Sequence, residues 1–142
     1  MKLVDVNVLL YAVNRDAEHH EAALAWWQDA LSGDESIGLA WIVLLGFLRI
    51  AANPKIFPMP VSAAGAIKHI DAWLTVPNVC VITEKPEHWK LLRVLLEETG
   101  VAGNLTTDAQ LAALAISHGA SLVSFDRDFV RFEGLRWETP LN

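Results

Sequence analysis

Short apolar runs alternate along the chain with longer segments in which apolar residues recur every three or four positions. The runs lie at 3–6, 37–40, 79–82 and 121–124, and each has about the length of a buried strand. A further run at 135–138 extends the series. The pattern therefore predicts several short strands spread over the whole chain.

The segments between these runs predict helices. Residues 18–31 carry apolar side chains at the i, i+3, i+4 spacing of one helix face. Capping and turn residues set the ends of the other expected helices, which cover 8–13 with Asn7 as the cap, 42–52, 62–75, 87–99, and 108–118 with Thr106 or Thr107 as the cap. Short strands separated by helices predict an α/β fold with a mainly parallel central sheet flanked by helices. Such sheets bind ligands beyond the carboxyl ends of their strands.

Residues 1–142 have the length and composition of one domain. Apolar residues make up 53% of the chain and charged residues 20%, which excludes a disordered protein. The single Cys80 excludes an internal disulfide and a cysteine-rich metal site. Asp5 interrupts the first apolar run, so that run does not read as a secretory leader, and no uncharged stretch reaches the roughly 18 residues of a spanning helix. We expect a cytoplasmic protein with no membrane association.

The charge balance argues against a polyanionic partner. Eleven Lys and Arg residues against 17 Asp and Glu residues leave a net charge of −6. Proteins that bind nucleic acid usually carry a basic surface instead. Because a bound metal ion can reverse the local sign of charge, this balance makes a nucleic-acid partner less expected but leaves it open.

Four aspartates stand where a strand ends or a helix begins. Asp5 closes the first run, Asp108 opens a late helix, and Asp126 and Asp128 follow the run at 121–124. Each has an ordinary alternative role, as a helix cap for the first two and as a solvated turn residue for the other two. Together they fall at the sheet edge that binds ligands, where clustered carboxylates repel one another unless a divalent cation lies among them. Such oxygen ligands suit Mg²⁺ or Mn²⁺, and sites of this kind serve phosphoryl transfer.

Other catalytic classes find little support in the sequence. A phosphate-binding loop, a nucleophile elbow and a Cys–His arrangement are all missing. The adjacent His19 and His20 would point in different directions from one helix, so we expect surface residues there. Trp26, Trp27 and Trp73 fall on apolar helix faces, which favours a role in the core or in a subunit contact.

Four segments of the chain read VDVNVLLYA, FLRIAANPKIF, TDAQLAALAISHGASLVSFDRDF and GLRW. Together they resemble the PIN domain and, more narrowly, the VapC ribonuclease toxins of bacterial type II toxin–antitoxin modules. The resemblance implies a single PIN-like domain, a Mg²⁺-dependent endoribonuclease activity, a VapB-type antitoxin as partner and a homodimer. By motif position, Asp5, Asp108 and Asp126 correspond to the metal-binding acids, and Asp128 to a supporting acid. Asn7 falls where the family has a small polar residue beside the first acid.

One position departs from the family pattern. The residue before FLR in the central helix is commonly Glu, the second acid of the site, and here it is Gly46. This departure keeps open an alternative, a PIN-fold protein that binds an antitoxin or RNA without cleaving it. A phosphoaspartyl receiver domain is a second alternative, although residues 4–6 lack the acidic pair that it needs after its first strand.

Contacts with RNA would have to come from polar and basic residues near the motifs. Asn7, Arg49 and Arg127 are the expected substrate-binding residues, with Lys55 and Arg131 as further candidates. Ordinary surface charge is the alternative reading of the four basic residues. We expect the affinity for RNA to be modest and sensitive to salt.

Overall fold

Five parallel strands form the centre of the computed structural model, which describes residues 1–57 and 61–141. They lie side by side in the order β3-β2-β1-β4-β5. Their bounds are β1 Lys2–Val4, β2 Ile37–Ala40, β3 Val79–Ile82, β4 Ser121–Val123 and β5 Arg136–Glu138. The expected α/β fold with a parallel sheet is confirmed. A receiver domain is excluded, because the flavodoxin-like order that it shares is 2-1-3-4-5.

Six α-helices connect the strands within the described residues. They are α1 Val6–Val13, α2 His20–Ser32, α3 Trp41–Ala51, α4 Ala63–Leu74, α5 His88–Thr99 and α6 Leu105–Ser117. A short 3₁₀ helix, Arg127–Arg131, follows β4. The helices expected from periodicity are therefore present, with ends that shift by up to three residues. No helix in the described part of the chain is long and apolar enough to cross a bilayer.

The strand order reverses direction next to β1. The chain steps outward from β1 to β2 and β3, then returns to place β4 on the other side of β1. Val4 pairs with Val123 in the parallel register, so β1 and β4 end level with each other. The backbone N–H of Asp5 donates to the carbonyl of Val123 at 3.0 Å and extends this pairing by one residue. A crevice at such a reversal is where open α/β sheets bind ligands.

Two helix starts differ from the expected ones. Asp5, not Asn7, caps α1: its backbone is extended, and its carboxylate accepts from the N–H of Val6 at 2.7 Å. The expected cap at Thr106 or Thr107 is also wrong, because α6 begins at Leu105 after Asn104, whose side chain makes no capping bond. Asp108 consequently lies in the first turn of α6 and is not its first residue.

The core joins the sheet to the helices through fully buried side chains. Leu3 and Val4 on β1 are 1% exposed, and α6 packs closely because its buried residues include four alanines: Ala109, Ala112, Ala113 and Ala115. Trp27 and Trp73 meet edge to face at 5.6 Å, and the ring of Phe47 lies 4.9 Å from that of Trp73. The expected core role of these two tryptophans is confirmed, while Trp26 is half-buried. Rigid packing beneath the strand ends fixes the positions of the residues that follow them.

Candidate active site

Asp5 lies at the carboxyl end of β1 and is nearly removed from solvent. Its side chain is 7% exposed and accepts two hydrogen bonds, from the N–H of Val6 at 2.7 Å and from the hydroxyl of Ser124 at 2.6 Å. Burial nevertheless raises the pKa of Asp5, because the two hydrogen bonds do not offset the lost hydration, and the neighbouring negative charge of Asp126 raises it further. The same side chain is thus both the cap of α1 and a buried acid at the crevice.

Ser124 connects the two strand ends. Its hydroxyl donates to Asp5, accepts from the side-chain amide of Asn7 at 3.2 Å, and accepts from the backbone N–H of Asp126 at 3.0 Å. The residue is fully buried. All the hydrogen-bonding capacity of the hydroxyl is used. Ser124 therefore sets the position of Asp5 relative to the loop that carries Asp126.

Asp126 and Asp128 stand in the loop after β4. The carboxylate of Asp126 accepts from the N–H of Asp128 at 2.8 Å and so caps the 3₁₀ helix. Asp126 is half-buried, whereas Asp128 is exposed and pairs with Arg131 at 3.6 Å. The ordinary role that the sequence analysis gave as the alternative to metal binding, that of an acid in a turn, thus describes the local hydrogen bonding of Asp126. That role leaves its charge close enough to act on Asp5 and Asp108.

Asp108 faces the other acids from the first turns of α6. Its pKa is raised to about 6, first by burial and then by the charges of Asp126 and Asp5, and the charge of Arg131 only partly offsets this. Repulsion of this kind falls off quickly with distance, so the three carboxylates share one region of the crevice. The structure brings together residues that are separated by more than 100 positions in the sequence.

The donor set fits a hard divalent cation. Among the described residues, no Lys or Arg side chain forms an ion pair with Asp5, Asp108 or Asp126. The charge of Asp126 raises the pKa of both Asp5 and Asp108, and such an excess of negative charge favours a cation among the carboxylates. Within residues 1–57 and 61–141, however, no three Asp, Glu, His or Cys side chains are close enough to enclose an ion by themselves. Magnesium commonly retains several waters and binds through one or two carboxylates, so a looser arrangement still suits it.

Gly46 lies in α3 against the start of α1. The residue is buried, and a Cβ atom built on it would lie 3.5 Å from a methyl group of Val6, which is an ordinary contact. Because Val6 follows Asp5 directly, a side chain at position 46 would start beside the first residue of α1, the helix that Asp5 caps. The backbone thus leaves space at the position where the family commonly has Glu.

The expected substrate-binding residues occupy different environments. Arg127 is exposed directly after Asp126, and Arg49 is exposed in the last turn of α3. The side-chain amide of Asn7 donates to Ser124, and its side-chain oxygen Oδ1 accepts from the backbone N–H of Phe125 at 3.3 Å. Asn7 therefore positions the loop after β4, and contact with a substrate stays a prediction for all three residues.

Lys55 and Arg131 are the further candidates for contact with RNA. Lys55 is exposed beyond α3, while Arg131 is near enough to lower the pKa of Asp108.

Ser124 was not singled out from the sequence, where it ends an apolar run. A polar residue at the end of a strand, level with Asp5, was the available signal.

Comparison with known proteins identifies the class to which this fold and this acid cluster belong. Residues 2–135 match the PIN domain family. The chain therefore belongs to the PIN domain family. A Mycobacterium tuberculosis protein named Ribonuclease VapC37 is 46% identical over 140 residues, which cover 99% of this chain and 97% of that protein. Ribonuclease VapC33 of the same organism is 44% identical over 141 residues, 99% of each chain.

At this level of identity over the full length, the chain is a member of the VapC ribonuclease group within the PIN domain family. A solved structure supports the fold independently. The chain matches VapBC2 from Rickettsia felis, bound to a DNA fragment from their promoter, with a TM-score of 0.68 at 22% identity, covering 97% of both chains. The resemblance seen in the sequence motifs is thereby confirmed.

Proposed function

We propose that the protein is a metal-dependent endoribonuclease toxin of the VapC type, formed by residues 1–142 as one PIN domain. The observation that carries the proposal is the position of Asp5, Asp108 and Asp126 at the strand-order reversal, where the charge of Asp126 raises the pKa of both Asp5 and Asp108 and no Lys or Arg of the described residues forms an ion pair with any of the three. The full-length similarity to proteins named Ribonuclease VapC supports the same activity. We assign the three acids as metal ligands and Asp128 as a supporting acid.

Mg²⁺ is the proposed ion, and Mn²⁺ is a substitute for it. Both are hard cations that prefer carboxylate oxygens. When bound, such an ion activates a water and stabilises negative charge on a phosphodiester. The chain's own contribution is orientation: Ser124 and Val6 hold the carboxylate of Asp5, and the 3₁₀ helix holds that of Asp126.

Positive charge around this centre is sparse. Arg127 and Arg131 are exposed beside the acids, and the rest of the chain carries a net charge that is negative. Contacts with the RNA backbone through these two arginines would be modest and would weaken with salt. We propose that the RNA is bound in the cytoplasm by this small basic rim together with the metal ion.

A VapB-type antitoxin is the proposed protein partner. The solved structures that share this fold include VapBC complexes, such as those of Rickettsia felis and of Salmonella typhimurium bound to DNA. Such complexes require a toxin surface that an antitoxin covers. Homodimerisation of the toxin is a further part of the proposal.

The test is cleavage of a mixed RNA pool by the purified protein with Mg²⁺, with Mn²⁺ or with EDTA. We expect discrete products with either ion and none with EDTA. Intact RNA under all three conditions would contradict the proposal. Retention of RNA without cleavage would instead support the alternative that Gly46 keeps open, a PIN-fold binding protein with a deficient site.

A further inference from the structure

Three partly exposed aromatic rings form a cluster that includes Phe125, the residue directly before Asp126. The rings of His19 and Phe125 are parallel to within 3°, with their centroids 5.1 Å apart. Tyr11 completes a triangle, 5.1 Å from Phe125 and 6.3 Å from His19, and is tilted by about 50° to both. We name this set the Tyr11–His19–Phe125 cluster. Its rings are half-buried, unlike the fully buried aromatic side chains of the core.

The cluster is connected to the loop after β4 that carries Asp126. In the sequence, Phe125 lies between Ser124 and Asp126. Ser124 donates a hydrogen bond to Asp5. The backbone N–H of Phe125 donates to the side chain of Asn7 at 3.3 Å. The hydrogen bonds that position the acids therefore also position the backbone of Phe125, which anchors the cluster to the loop that carries Asp126.

His19 has no evident structural task of its own. It precedes α2 as the N-cap residue, yet its side chain makes no capping bond. The neighbouring His20 is anchored, with its ring Nδ1 2.7 Å from the carbonyl oxygen of Tyr11. Within the described part of the chain, the ring of His19 has a stacking contact with Phe125 and no hydrogen bond. Its remaining surface is free to contact a ligand.

We propose that the Tyr11–His19–Phe125 cluster is a subsite on which an unpaired nucleobase of the substrate stacks, beside the phosphodiester held at the acids. The inference rests on the proposed ribonuclease function. Stacking on aromatic rings binds single strands through a surface that every base possesses. It would supply affinity that a chain with a net charge of −6 cannot obtain from the phosphate backbone alone.

A base can stack on the cluster only when it is unpaired and accessible. Stacking tolerates all four bases, so the cluster favours unpaired RNA without selecting one sequence.

The test compares the binding of two labelled oligonucleotides by fluorescence anisotropy in EDTA. One is single-stranded RNA of mixed sequence, and the other has the same sugar–phosphate backbone without bases. We expect the parent protein to bind the base-containing strand roughly 5- to 150-fold more tightly. His19→Ala and Phe125→Leu should each reduce this preference, with little change in the affinity for the base-free strand.

Matched variants separate stacking from folding. His19→Phe keeps a flat ring and should retain the preference of the parent protein. Trp89→Ala removes an aromatic ring that is 63% exposed on α5 and should change nothing. Circular dichroism and melting temperature report whether each variant is folded, and His19→Ala is the decisive variant if Phe125→Leu fails to fold.

Three results would overturn the inference. The first is equal binding of the two strands by the parent protein, or no measurable binding of either. The second is an unchanged preference for the base-containing strand in His19→Ala. The third is a loss of preference in His19→Phe as large as that in His19→Ala. A retained preference for bases in a protein that cleaves no RNA with Mg²⁺ would contradict the proposed function alone. The two proposals can therefore fail separately.

Discussion

Replacing the buried hydroxyl at position 124 probes the connection on which the site depends. Ser124→Ala removes one hydrogen bond to the Asp5 carboxylate and two neutral ones, from Asn7 and from the N–H of Asp126. A bond to a charged group contributes about 1.5–3 kcal/mol and a neutral bond about 1 kcal/mol. Because Asn7 and Asp126 are half-exposed and can bond to water instead, we expect a loss of about 3 kcal/mol in the free energy of unfolding.

Thermal and urea denaturation at neutral pH would measure this loss. At about 4 °C per kcal/mol for a chain of this size, the melting temperature should fall by about 12 °C. RNA cleavage should fall by about 10- to 100-fold, as is typical when a residue that orients a metal ligand is removed. The matched control is Ser117→Ala, whose hydroxyl donates only to the carbonyl of Leu114 at 3.2 Å. The reasoning is refuted if Ser124→Ala is as stable and as active as Ser117→Ala.

Two other substitutions test the electrostatics and the open position in α3. The pKa of Asp108 is raised from 3.8 to about 6 in the folded protein, so the folded state binds more protons than the unfolded state between these two values. In EDTA the parent protein should therefore lose stability as the pH rises from about 4 to about 6, and thermal melts should show Asp108→Asn free of this loss; parallel melting curves for the two proteins over that range would refute this. Gly46→Ala should raise the free energy of unfolding by up to about 1 kcal/mol, because its Cβ fits against Val6 and alanine favours the helix. Gly46→Glu should raise the affinity for Mn²⁺ several-fold in calorimetry while Gly46→Gln does not, and equal affinities would show that position 46 does not face the acids.

Much of the fold could be predicted from the sequence because its strands are short, apolar and bounded by turn residues. The parallel sheet then followed from the alternation of strands with helices, and the rule about carboxyl ends placed Asp5, Asp108 and Asp126 at one edge. The shared site of these acids is supported by the pKa of Asp108, which responds to both of the others. Their binding of a metal stays a prediction.

The errors and omissions have physical causes. The sequence offered both Asn7 and Asp5 as caps of α1, and an Asp with φ −77° and ψ 156° can end a strand or cap a helix, so hydrophobic periodicity could not decide between them. The start of α6 was predicted wrongly because we expected a residue whose side chain caps the helix. The residue before α6 is Asn104, whose side chain makes no capping bond. Ser124 and the pairing of His19 with Phe125 depend on contacts between residues more than 100 positions apart, and local patterns carry no information about such contacts.

The central claim is that Asp5 belongs to a metal-dependent centre that cleaves RNA. Its most direct test is the initial rate of RNA cleavage by Asp5→Asn with saturating Mg²⁺, next to Asp71→Asn, which changes an exposed acid on α4. Asn preserves the size of the side chain and one acceptor oxygen for the N–H of Val6, and circular dichroism would confirm that both variants fold. The account predicts that Asp5→Asn loses at least about 100-fold in rate while Asp71→Asn keeps the rate of the parent protein. Equal rates in a folded Asp5→Asn and in the parent protein would contradict it.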